Sequence, residues 1–198
     1  MRKVPRQISE RLPAAADLFA EKGLNDSKIE DVAAVTGVPK ATLYYYFSGK
    51  EDILAFLLED LLREISDAVT AIVQTEGTGA ERLDGVIHAQ LRAMARRPAV
   101  CRALIGELGR AGRMPVIADM INTAYQQPVE ALLVAGAADG SLVAQRDPRS
   151  TSIALFGAVT ISALMYLVTS DRLDETMVAG TLHAIMFDGL RPRPLERP

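Results

Sequence analysis

Ser27-Lys28-Ile29-Glu30-Asp31-Val32-Ala33-Ala34-Val35-Thr36-Gly37-Val38-Pro39-Lys40-Ala41-Thr42-Leu43-Tyr44-Tyr45-Tyr46-Phe47-Ser48-Gly49-Lys50 is the stretch that decides how this chain folds. Ser27 to Glu30 reads as a capping box, with the serine hydroxyl accepting from the Glu30 N–H while the Glu30 carboxylate reaches back. Ile29, Val32, Ala33 and Thr36 recur at helical spacing, and Gly37 ends that helix. Pro39 supplies a fixed φ for the first turn of a second, very short helix over Lys40–Tyr46. Two helices joined by a short Gly-containing turn form the helix-turn-helix pattern. A second box, Ser48-Gly49-Lys50-Glu51, opens a long helix carrying Ile53, Leu54, Leu57, Leu58, Leu61, Leu62 and Ile65.

The short helix is rich in groups that face nucleic acid: Lys40, Thr42, Tyr44, Tyr45 and Tyr46. Three consecutive tyrosines on one short helix cannot all point inward, so at least one ring meets solvent or a partner. Tyrosine hydroxyls, lysine ammonium groups and free N–H groups at helix starts are donors to phosphate oxygens.

Outward from this stretch the chain reads as helices. The first covers about Ser9–Lys22, with Leu12, Ala15, Ala16, Phe19 and Ala20 at helical spacing, Pro13 in its first turn and Gly23 as its stop. Downstream, Ala80–Arg97 is stopped by Pro98, and Pro98–Leu108 ends in a loop at Gly109–Arg113. Pro115–Ala138 is bent near Pro128, Asp147-Pro148 caps a long apolar helix to about Thr169, and Asp174–Asp188 is closed by Gly189. The Pro- and Arg-rich segment Arg191–Pro198 is expected to be disordered.

β-branched residues never alternate as in strands, so the expected class is all-α. Net charge is −3, yet residues 1–50 carry +2 and the remainder −5. Arg2, Lys3, Arg6 and Arg11 make a basic arm able to lie along phosphates, with a solvated terminus as the plainer alternative. Cys101 is the only cysteine, which excludes an intrachain disulfide and fits a reducing compartment. One cysteine and two distant histidines, His88 and His183, argue against structural zinc. Ser150–Ser170 has no charged residue and is long enough to span a bilayer. It also carries seven Ser/Thr side chains, and a helix packed in its own core and against a partner gives the same pattern, so a membrane span is not expected. No nucleophile motif, phosphate-binding Gly-rich loop or paired His/carboxylate cluster points to an enzyme.

Leu18-Phe19-Ala20-Glu21-Lys22-Gly23, Ile29-Glu30-Asp31-Val32-Ala33 and the run Gly37 to Glu51 resemble the N-terminal domain of the tetracycline-repressor (TetR) family over about Ser9–Leu57. The resemblance implies an N-terminal three-helix bundle with the helix-turn-helix and a C-terminal helical ligand-binding and dimerisation domain, about nine helices in all. The expected division is 1–49 for DNA binding, 50–190 for effector binding and dimerisation, and 191–198 as a tail. Ser27 and Lys28 then fall at the start of the second helix beside phosphate. Lys40, Ala41, Thr42 and Tyr45 match positions facing bases or the adjacent backbone. Tyr44, Tyr46 and Lys50 match phosphate or groove-edge contacts, while Phe19, Ile29, Val32, Leu43 and Phe47 match core. Pro39 stands where the family commonly has Ser, which removes one hydroxyl contact, and Pro13 interrupts a helix that usually runs on.

The recognition helix has no Arg, Asn or Gln, the side chains suited to bidentate base pairing, so the expected readout of double-stranded DNA is sparse and aided by shape. One short helix gives little affinity, so a homodimer on a near-palindrome is expected. Ala154, Gly157, Ala158, Ser162, Gly180 and Ala184 on the last two helices are the expected dimer contacts. Leu91, Met94, Ile105, Met120, Tyr125, Phe156 and Met165 are candidates for a pocket taking a small apolar or amphipathic effector, with plain core packing as the alternative for each. No cofactor or metal is expected, the location is cytoplasmic, and the implied activity is that of a ligand-responsive repressor. The competing readings are a small helical enzyme and an architectural protein whose helix-turn-helix serves packing only.

Overall fold

The computed structural model describes residues 3–111, 115–170 and 172–190. Every regular element among the described residues is helical: α1 (Arg6–Ser9), α2 (Ala14–Lys22), α3 (Ile29–Thr36), α4 (Lys40–Tyr46), α5 (Lys50–Val73), α6 (Gly79–Arg96), α7 (Pro98–Ala111), α8 (Pro115–Ile121), a π-helical turn (Asn122–Gln126), α9 (Gln127–Ala138), α10 (Pro148–Thr169) and α11 (Glu175–Leu190). The count reduces to nine when the two N-terminal segments are joined and α8, the π turn and α9 are taken as one bent helix. The C-terminal segment expected to be disordered, and residues 112–113 of the expected loop, lie outside the described residues.

Several boundaries differ from the sequence reading for physical reasons. Pro13 does not sit inside a helix begun at Ser9. With no N–H and a ring that crowds the carbonyl four residues back, it ends α1 and becomes the N-cap of α2. Ser27 does not cap α3 either. Its hydroxyl donates to the Gly23 carbonyl at 2.6 Å, and the N-cap is Lys28, whose N–H donates to the Asp31 carboxylate at 2.9 Å. At the second box the reach-back carboxylate is Asp52, which accepts from the Ser48 N–H at 2.8 Å, rather than Glu51. Gly109 and Gly189 lie inside α7 and α11 and terminate neither. The bend near Pro128 is the π turn, which widens the helix just before a residue unable to donate to the carbonyl four positions back.

The chain forms two compact units. One comprises Met1–Leu61 with Arg97–Ala118, the other Leu62–Arg96 with Asp119–Pro198, and α5 supplies residues to both. In the first, Leu12, Phe19, Val32, Val38, Leu43, Phe47, Ile53 and Leu54 are buried. Helix α2 packs against α3 and most extensively against α7. Buried Ala15 and Ala16 on α2 and Val100, Cys101 and Ala103 on α7 are small enough for close approach. Burial pushes the Cys101 thiol up to about 12, so it stays a protonated core residue.

In the second unit α6 is central and packs on α9, α10 and α11. Its start is fixed from α9's end. The Asp139 carboxylate accepts from the Gly79 N–H at 2.7 Å and the Ser141 hydroxyl from the Ala80 N–H at 3.1 Å, so two orphan donors of α6 are satisfied across the fold. That junction is tight: a Cβ on Gly79 would lie 2.3 Å from the Gly136 Cα. Gly79→Ala is therefore expected to lower unfolding stability by about 2 kcal/mol or more, in the range seen for overpacked sites. A urea melt of the full chain reads this directly, and an unchanged midpoint would show that α6 and α9 part without cost.

Candidate nucleic-acid interface

The geometry of the turn follows from three residues. Gly37 is left-handed (φ 64°), which carries the chain out of α3 at a position where a side chain would be strained. The Thr36 hydroxyl donates to the Val32 carbonyl at 2.7 Å and accepts from the Val38 N–H at 3.3 Å, so the buried turn leaves these groups paired. Pro39 caps α4 with its fixed φ. From α4 only Leu43 is buried, and Phe47 follows it into the core. Tyr44 and Tyr45 consequently project outward at 53% and 59% exposure, while Tyr46 is half-buried with its ring edge-on to Tyr45 at 4.9 Å. Lys40 and Ala41 are exposed and Thr42 is half-buried on the same short helix.

Several cations of this unit are engaged rather than loose. Lys40 pairs with Glu30 of α3 and stands 5.9 Å from the Tyr44 ring centroid. That hydrogen bond is the main reason the Glu30 carboxyl lies below, and the Lys40 ammonium above, its ordinary value. Lys22 pairs with Asp31 at 2.6 Å. Lys50, expected at phosphate, donates to the carbonyls of Asn25 and Ser27 at 2.7 and 2.8 Å. In the arm, Arg6 makes an exposed local pair with Glu10 at 2.7 Å, while Arg11 donates to the Gly37 carbonyl at 3.2 Å and so ties the arm to the turn.

Between the starts of α3 and α5 lies an open cleft of about 340 Å³ lined by Lys28, Ile29, Glu30, Tyr44, Gly49, Lys50, Glu51 and neighbouring residues. Two helix N-termini, two ammonium groups and Tyr44 share this concavity with the Glu30 and Glu51 carboxylates, so donors suited to an anion and charges that oppose one stand side by side. Ser27 borders it, but at 2% exposure and with its hydroxyl hydrogen spent on Gly23 it positions the turn rather than presenting a surface contact.

The remaining candidates divide. Leu91, Met94 and Tyr125 are buried and Met120 and Phe156 half-buried in the second unit, with the Tyr125 and Phe156 rings edge-on at 5.0 Å. Ile105 belongs to the first unit. Met165 is 56% exposed on the outer side of α10, so it lines no interior pocket; the helical repeat places it one turn from exposed Ile161 and Val168. Ala154, Gly180 and Ala184 are exposed, and Gly157, Ala158 and Ser162 half-buried. Around them Ile153, Ile161, Val168, Met177 and Ile185 also stand exposed. Helix α10 has the length and mean hydropathy (1.9) of a membrane-crossing helix, with a third of its most apolar window buried within the chain.

Some relations escaped the sequence reading. His88 and His183 both approach Asp84, at 3.8 and 2.8 Å. Gln90, on the buried stripe of α6 between Ile87 and Met94, donates to the Thr160 hydroxyl of α10 at 2.8 Å. The signal for Gln90 was present: a polar residue at an apolar helical position.

A short exposed helix bearing tyrosines and lysine, held by a glycine turn against a second helix, defines a helix-turn-helix DNA-binding unit. Comparison with known proteins gives its family. Residues 12–56 match the model described as bacterial regulatory proteins, tetR family, and residues 76–164 match the tetracyclin repressor-like C-terminal domain, together two thirds of the chain. The fatty acid metabolism regulator protein of Bacillus subtilis is 22% identical over 90% of this chain and 93% of its own length. The HTH-type transcriptional repressor KstR2 of Rhodococcus jostii is 28% identical over 92% and 90%. Among solved structures, the transcriptional regulator FadR from Bacillus subtilis in complex with stearoyl-CoA superposes with a TM-score of 0.80 at 21% identity, covering 91% of this chain and 98% of that one. The chain belongs to the tetR family of DNA-binding transcriptional regulators.

Asp31 generates a pH expectation. Hydrogen bonds from Lys22, first, and from the Lys28 N–H hold its carboxyl below the ordinary value. A carboxylate with a lowered folded pKa contributes stability that is present above its unfolded pKa and is lost as pH falls through the folded one. Asp31→Asn is expected to speed hydrogen exchange of the first α3 amides at neutral pH. That difference closes in acid, and a gap independent of pH would assign the loss to packing instead.

Proposed function

We propose that the chain is a cytoplasmic, ligand-responsive repressor without catalytic activity that binds a near-palindromic operator as a homodimer. Residues 1–49 carry DNA contact, and 50–190 carry effector binding and dimerisation. The observation that carries the DNA side is α4, whose Leu43 is buried while Tyr44 and Tyr45 project with Lys40 beside them. Lys40, Ala41, Thr42 and Tyr45 face the major groove, Lys28, Tyr44 and Lys50 take phosphates at the cleft between α3 and α5, and Tyr46 takes a phosphate or groove-edge contact beside Tyr45. Ligand control is supported by the relatives, one of which holds stearoyl-CoA.

Lys40 is the only strong donor to a base edge on α4, whereas Lys50 lies at that cleft. Lys40→Ala is expected to change preference at one or two base pairs, a loss of about 1–3 kcal/mol there. Lys50→Ala weakens all sequences alike and lowers the salt slope by about 1 per protomer. Fluorescence anisotropy across a salt series, on operator and scrambled duplexes, separates the two, and uniform loss from both would sink the distinction.

The dimer face is read from what α10 and α11 leave uncovered. Ile153, Ile161, Met165 and Val168 on one helix, with Met177, Gly180, Ala184 and Ile185 on the other, make a helically spaced apolar surface. Gly157 and Gly180 have open space where a Cβ would stand, as expected where a second copy approaches closely. Family membership favours a protein partner over lipid for this face. Ile185→Glu is expected to weaken the dimer at least about 100-fold, because a two-fold interface buries each introduced charge twice. Sedimentation equilibrium that finds the variant still dimeric would move the interface elsewhere.

A further inference from the structure

Among the described residues of the second unit two side-chain polar atoms are buried with no hydrogen-bond partner: the Tyr125 hydroxyl and the Gln90 side-chain carbonyl oxygen. Tyr125 is 1% exposed, as is Gln90. Orphaned polar groups of this kind are costly and rare in native interiors, so their retention calls for an occupant. Both side chains contact the same stretch of α10. The Tyr125 ring lies edge-on to Phe156, and the Gln90 amide nitrogen donates to Thr160, one turn further along the same helix face. The backbone supports this reading, since Tyr125 is carried by a π-helical turn, a local widening that recurs at functional sites. Met94, four residues beyond Gln90 on α6, and half-buried Phe156 supply soft apolar contact.

We propose that Tyr125 and Gln90 are the polar anchors of the effector site, and that the effector is an apolar molecule carrying an uncharged hydroxyl group. The proposal rests on the ligand-control reading above. The Tyr125 hydroxyl has a proton to donate and the Gln90 oxygen has lone pairs to accept, and an alcohol is the simplest function that satisfies both. A carbonyl serves only the tyrosine. A carboxylate fits poorly: among the described residues no buried polar side chain is cationic, so its charge would be desolvated without a counter-charge. Burial also pushes the Tyr125 phenol above its ordinary value, which keeps it a donor at any physiological pH.

Two measurements on the whole chain test this. The first needs no ligand. Tyr125→Phe removes an unpartnered hydroxyl, so the empty protein is expected to melt a few degrees higher or unchanged, and a drop of several degrees would show that the hydroxyl already has a partner and overturn the proposal. The second uses decane, 1-decanol and decanoate as probes in calorimetric titration. The alcohol is expected to bind at least about tenfold more tightly than either other probe. That preference should vanish in Tyr125→Phe and in Gln90→Leu. Equal binding of the three, no binding by any, or a preference surviving both substitutions overturns the anchors. Release from a footprinted operator fragment is scored alongside. Alkane and alcohol releasing DNA equally leaves ligand control standing without these anchors; alcohol bound with the expected preference but DNA retained leaves the anchors standing without ligand control.

Discussion

Gly37 is the constraint on which the DNA-binding unit depends. Its left-handed backbone turns the chain between α3 and α4, and its carbonyl is taken by Arg11 from the segment before α2. Once that turn is set, Val38 is driven into the core, and Pro39 starts α4 with its own φ already chosen. A seven-residue helix then has little freedom. With Leu43 inside and Phe47 following it, the tyrosines between them fall on the outer side by helical geometry alone. The projecting rings are thus a by-product of the burial of Leu43 and Phe47, which ties the recognition surface to the stability of the unit behind it.

The electrostatics of that surface explain how an acidic chain can meet nucleic acid. Its net charge is −3, but what matters to a phosphate is local. Lys22, Lys40 and Lys50 are each engaged, with Asp31, Glu30 and two loop carbonyls respectively. The two carboxylate pairs are exposed, and exposed pairs are worth at most about 1 kcal/mol, so a phosphate array can outcompete them at modest cost. Glu30 then has a role of its own. It holds Lys40, so in the proposed DNA contact Lys40 would have to leave Glu30 for a base or phosphate acceptor.

The helix-turn-helix was legible because its signals are local. The glycine stop, the proline start and the Leu43 and Phe47 spacing each act over a few residues, and α4 spans Lys40–Tyr46 as read. What failed was also local, but competitive. Ser27 looked like a cap, yet Gly23 offered its hydroxyl a carbonyl acceptor, and the Asp31 carboxylate took the Lys28 N–H. Pro13 broke the first helix because nothing in the sequence pattern weighs a lost N–H against apolar periodicity. Long-range relations were beyond reach: the pairing of Lys40 with Glu30, the convergence of His88 and His183 on Asp84, and the contact of Gln90 with Thr160 all depend on how helices pack. Met165 fell on the wrong side because an apolar helix with two apolar faces gives periodicity no means to choose between them.

That last point bears on what the second unit is built to do. A helix optimised for the stability of a lone chain would keep its apolar residues inside and its polar ones paired. Here the reverse holds twice: Ile153, Ile161 and Ile185 stand outside, while Tyr125 and Gln90 stand inside with unpaired atoms. Each departure costs stability in the isolated protomer, and the two costs have different remedies. Covering the outer face takes a large surface and acts with the strength of apolar area removed from water. Satisfying the inner atoms takes only a few well-placed polar contacts. A regulator of the proposed kind would gain from that difference, because the large term could hold a dimer together whatever its state, while the small term would leave the interior sensitive to what it contains.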